Sequence, residues 1–105
     1  MTSTDDKTQT RIALVMRSIR SAIGYNQIQF AELIGSSKPT IARIETLEMP
    51  MKGELYSRMV ERLEEFGIKI DSNLDGVSLH FDERAIAVLE GRLQDADLRR
   101  PDRKK

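Results

Sequence analysis

From Arg11 onward the apolar positions fall with a helical beat. Ile12, Val15, Met16, Ile19 and Ile23 recur at three- and four-residue spacing, which places them on one face of a helix, and Gly24 is a natural stop. Asn26 can cap the next helix, with Gln29 three residues on as in a capping box. Tyr25 and Phe30 stand where a hydrophobic staple forms. Phe30, Ala31 and Ile34 make this helix's apolar stripe, and Gly35 closes it after about two turns. Ser37 then caps a third helix that carries Pro39 in its first turn and points Ile41 and Ile44 inward. The stretch LEMPMKG, residues 47–53, reads as a loop. A fourth helix over about 54–66 follows from Leu55, Tyr56, Met59, Leu63 and Phe66, with Gly67 as its stop.

After Gly67 the period shortens to two. Ile68 and Ile70 flank Lys69, and Val77, Leu79 and Phe81 alternate with Ser78 and His80. The turn formers of 72–76 lie between, which predicts a β-hairpin with a loop longer than the minimum. Asp82 caps a last helix over about 83–98, with Ile86, Leu89 and Leu93 in register. The expected fold is mainly α: a four-helix core containing a helix-turn-helix, then a β-hairpin and a C-terminal helix. The divisions are a disordered polar start at 1–9, the helix-turn-helix domain at 10–66, a hairpin and helix at 67–98 serving for dimerisation, and a basic tail at 99–105.

Composition narrows the function. The 105 residues fit one domain, and 32% charged against 39% hydrophobic residues leave a small core that a partner chain would help to complete. No cysteine is present, so neither a disulfide framework nor a thiolate metal site exists. The lone His80 lies on the hairpin's outward alternation and makes a metal site unexpected. The charges of the fourth helix, Glu54, Arg58, Glu61, Arg62, Glu64 and Glu65, read as a solvated face with ion pairs at i, i+3 and i, i+4 rather than catalytic carboxylates. No run is long and apolar enough for a membrane span, and the start lacks a basic-then-apolar leader, so a cytoplasmic protein is expected. Net charge is zero, but its distribution is uneven: residues 11–46 carry five basic and two acidic side chains, residues 47–82 four and eight. A basic N-terminal half can hold a polyanion despite a neutral total.

The segment GYNQIQFAELIGSSKPTIARIE resembles the helix-turn-helix of the Cro and lambda-repressor-like (XRE-type) DNA-binding family. Arg20, Gly24, Gln27, Phe30, Ala31, Ile34, Gly35, Ser37, Ile41, Ile44 and Glu45 carry the likeness, which covers about residues 11–66. The chain departs from the family at Ser36, often apolar there, and at Thr46 and Leu47, where a glycine often follows the first residue. The resemblance implies a structural pair between Arg20 and Glu45 that fixes the angle between the first and third helices.

The third helix supports the same expectation physically. With Ile41 and Ile44 given to the core, Lys38, Pro39, Thr40 and Arg43 remain on its outer face, free of acidic side chains. Arg43 suits a bidentate contact to guanine, Lys38 a base or a phosphate, and Pro39 and Thr40 a thymine methyl. Gln27 at a helix start suits a backbone phosphate, with Ser36 and Ser37 adding hydroxyls. The expected function is sequence-specific binding of double-stranded DNA by a homodimeric transcriptional regulator, a repressor in the simplest case. It needs no cofactor and no catalytic residue. The alternative is an antitoxin that binds its own operator and a toxin protein.

Overall fold

A computed structural model describes residues 3–99 and shows the predicted layout: α1 (Ser3–Ile23), α2 (Gln27–Ile34), α3 (Lys38–Glu45), α4 (Gly53–Phe66), β1 (Ile68–Asn73), β2 (Gly76–Phe81) and α5 (Glu83–Arg99). The periodic apolar positions are the core. Met16, Ile19 and Ile23 of α1, Phe30 and Ile34 of α2, Ile41 and Ile44 of α3, and Met59 and Leu63 of α4 are fully buried with Ile68. α1 packs on α3 and α5, while α2 lies between α3 and α4.

The first difference from the sequence reading is at the start. α1 begins at Ser3 and takes in most of the polar stretch expected to be unfolded. One tertiary contact reaches the end of this stretch. The Gln9 side-chain oxygen accepts from the Met51 main-chain N–H at 2.8 Å, tying the front of α1 to the loop before α4. Helices in proteins owe more to such docking than to intrinsic propensity. Of the basic tail, Arg99 ends α5, and 100–105 lie outside the described residues.

The hairpin turn is tighter than expected. β1 and β2 pair antiparallel from Ile68 opposite Phe81 to Asn73 opposite Gly76, leaving only Leu74 and Asp75 between the strands. Asn73 makes this possible: its Oδ1 accepts from the N–H groups of Asp75 at 2.8 Å and Gly76 at 3.2 Å. Arg11 reaches across from α1 and donates to the carbonyls of Asn73, Leu74 and Gly76 and to the Ser72 hydroxyl. Ile68, Ile70, Val77, Leu79 and Phe81 face the core, and Lys69, Asp71, Ser78 and His80 face outward.

The arginines of α4 are not spent on its glutamates. Arg58 donates from Nε to the Ile34 carbonyl at 3.1 Å and from Nη2 to that of Gly35 at 3.0 Å, and Arg62 donates to the Leu33 carbonyl at 3.2 Å. These are the orphan carbonyls at the end of α2, where a cation also suits the helix dipole. Among the described residues the side-chain ion pairs are Arg20 with Glu45 and Arg84 with Asp82.

Leu47 follows α3 in the left-handed region, with φ at +65°. That conformation costs an L residue roughly 1–2 kcal/mol, and the side chain is exposed, so it recovers little by burial. Leu47→Gly removes the strain at the expense of a more flexible unfolded chain, and a net gain of roughly 0.5 kcal/mol is expected. Denaturant unfolding checks this. Leu47→Ala, which keeps the Cβ, should show no such gain.

Candidate nucleic-acid interface

Local chemistry fixes both helices of the pair. Asn26 is extended, and its side chain accepts from the Gln29 N–H at 2.7 Å while the Gln29 side chain accepts from the Asn26 N–H at 2.8 Å. This is a complete capping box, so α2 starts at one defined residue. Ser37 caps α3 by accepting from the Thr40 N–H at 3.4 Å, and its hydroxyl donates to the Thr40 hydroxyl at 3.0 Å. Pro39 occupies the first turn of α3, where its missing N–H leaves no gap.

Ile41 and Ile44 hold α3 from behind, and its opposite side is open. Ser37, Lys38, Pro39 and Arg43 are exposed, while Ser36 and Thr40 are half-buried. Among the described residues neither the Lys38 ammonium nor the Arg43 guanidinium has a hydrogen bond or ion pair. Two exposed cations thus stand on the outer side of a short, well-capped helix.

Glu45 ends α3 and is buried, at 4% exposure. Arg20 of α1 donates to both its oxygens, from Nε and Nη2, each at 2.7 Å. A third partner joins them: Gln27 donates from Nε2 to Glu45 Oε1 at 3.1 Å. Arg20 also donates from Nη1 to the Tyr25 carbonyl at 3.2 Å. The hydrogen bonds to Glu45 raise the Arg20 pKa further above its ordinary value. The carboxylate therefore joins α1, the start of α2 and the end of α3. Gln27 was expected to point at a phosphate. Its amide nitrogen instead gives one hydrogen to Glu45, which leaves the second N–H and the oxygen at a partly exposed edge.

The fold adds one contact that no local pattern signalled. Arg92 of α5 donates to the Gly24 carbonyl and lies with its guanidinium carbon 5.2 Å from the Tyr25 ring centroid. The sequence pattern pairs Arg58 and Arg62 with the α4 glutamates, and it does not signal their bonds to the end of α2 either.

A cavity of about 600 Å³ lies between the front of α1, the start of α4 and the hairpin, lined by Ile12, Val15, Met51, Tyr56, Ile70 and Val77 among others. None of its lining residues belongs to α2 or α3. Among the described residues no three histidines or carboxylates converge as metal ligands, and no helix is long and apolar enough to cross a membrane. Comparison of the sequence with known protein families and with curated proteins finds no match.

Proposed function

We propose that the chain is an XRE-type regulator that binds double-stranded DNA sequence-specifically, with α3 entering the major groove. One observation carries this reading: Lys38, Pro39 and Arg43 stand exposed and unpaired on the side of α3 opposite the buried Ile41 and Ile44. A major groove admits one helix, and residues on its N-terminal part reach base edges. The Arg20–Glu45–Gln27 cluster supports the reading because it holds α3 at one angle, which contact with defined bases requires. The protein acts in the cytoplasm as a dimer, which doubles the few base contacts of one copy and sets half-sites roughly 34–36 Å apart. Ile86 and Leu93, exposed on α5, and the open edges of the two-stranded sheet suit the dimer contact. A dimer covering its site acts most simply as a repressor.

Selection of bound duplexes from a random pool tests the proposal and yields the site. On that site Arg43→Ala is expected to weaken binding by about 1–3 kcal/mol and to relax preference at one position, whereas Lys38→Ala weakens all sequences alike if Lys38 holds a phosphate. Equal loss of Arg43→Ala on specific and random DNA would assign Arg43 to the backbone. No enrichment from the pool would end the proposal.

A further inference from the structure

We infer that α5 belongs to the DNA-binding unit, with Arg92 as a positioning residue that sets the entry of α2. The inference rests on the DNA-binding reading above and names how that surface is held.

Residues 24–26 decide where α2 begins, and three elements grip this short turn. Within the helix-turn-helix, α1 contributes Arg20, whose Nη1 donates to the Tyr25 carbonyl while its main-chain carbonyl accepts from the Tyr25 N–H at 3.0 Å. From α4, Phe66 meets the Tyr25 ring edge-on at 5.8 Å between centroids. From α5, Arg92 donates to the Gly24 carbonyl and covers the Tyr25 ring as a cation over an aromatic face. The turn is shaped for that arginine. Gly24 has φ at +75°, and a Cβ there would lie 3.0 Å from Arg92 Nε. Glycine thus serves both the left-handed turn and the approach of a side chain 68 positions along the chain.

A continuous path runs from this point to the proposed DNA face. Arg92 holds Gly24 and Tyr25, Tyr25 is bonded to Arg20, Arg20 to Glu45, and Glu45 to Gln27 at the start of α2. Each step is a hydrogen bond or a covalent neighbour. Arg92 is the member contributed from outside the helix-turn-helix segment. The hairpin and α5 therefore do more than offer a surface to a second copy.

The test compares the full-length wild type with Arg92→Ala and Arg92→Lys on the selected duplex, with amide exchange followed in parallel. Arg92→Ala is expected to lower affinity about threefold to thirtyfold while the slope of affinity against salt stays unchanged. It should also accelerate exchange at the amides of Phe30 and Ala31 in the opening turn of α2, but not at Leu63 in α4. Arg92→Lys, which keeps a cation and a donor, should restore most of both. A salt slope reduced by about one would make Arg92 a phosphate contact and overturn the positioning role. Unchanged exchange, or unchanged affinity despite accelerated exchange, would also overturn it. A wild type that selects no duplex removes the DNA reading itself, a result distinct from normal DNA binding by Arg92→Ala.

Discussion

Glu45→Ala is expected to cost about 3–5 kcal/mol of folding stability, the range for stripping one partner from a buried ion pair. Glu45 is almost wholly enclosed and receives two short bonds from Arg20 and one from Gln27. Alanine leaves the Arg20 guanidinium with only the Tyr25 carbonyl and a side chain that is itself 22% exposed. That partial access to water places the loss at the lower end of the range. A domain of this size has roughly 5–15 kcal/mol in all, so the variant should unfold at visibly lower denaturant with an unchanged slope. Removing both charges together, as in Arg20→Met with Glu45→Met, should recover much of the loss, because no uncompensated charge remains. A Glu45→Ala midpoint within about 0.5 kcal/mol of wild type would class the pair with ordinary surface substitutions.

Gly67→Ala is expected to cost about 2–6 kcal/mol from two sources, backbone strain and overpacking. Gly67 joins α4 to the hairpin with φ at +109°, outside what a residue with a Cβ adopts at ease. An added Cβ would sit 2.3 Å from Asp82 Oδ1 and 2.8 Å from the main-chain nitrogen of Ala85. The carboxylate can swing aside, at the loss of its ion pair with Arg84, but the nitrogen moves only with α5. Gly67 also accepts from the Asp82 N–H at 2.8 Å, so the junction has little room to shift. Unfolding followed by denaturant should show the large loss, and Gly67→Ala with Asp82→Gly should relieve only the side-chain part. A single variant within about 1 kcal/mol of wild type would mean that α5 sits more loosely on this junction than its contacts indicate.

What the sequence revealed, and what it hid, divides along one physical line. Apolar periodicity located α1 to α4 because the residues that recur every third or fourth position are the buried ones, Ile19, Phe30, Ile41 and Leu63 among them. The caps at Asn26 and Ser37 were legible because each acts on an N–H three residues away. The open side of α3 followed by subtraction once Ile41 and Ile44 were assigned inward. Hidden were polar contacts between distant parts of the chain. Gln9 meets Met51 from the front of α1, and Arg11, donating to main-chain carbonyls more than 60 positions away, braces a hairpin turn that Asn73 tightens locally. Resemblance supplied Arg20 with Glu45 but not the third member, so Gln27 looked free for a phosphate when part of its amide was already engaged. Such contacts leave no rhythm in the sequence, since a guanidinium satisfied by a carbonyl places no demand on the side chain of the residue that owns it.

The arginines on α4 bear on how this scaffold could be re-engineered. α2 has only eight residues, and the carbonyls at its end are satisfied by Arg58 and Arg62. A helix of two turns does not persist unaided in water. A graft cut at the loop before α4 would carry α2 and α3 but leave these fasteners behind. On the DNA-binding reading proposed above, a change of site is therefore a matter of exchanging the side chains at 38, 39, 40 and 43 in place, because a transplant ending at Phe66 would keep Arg58 and Arg62 but lose Arg92.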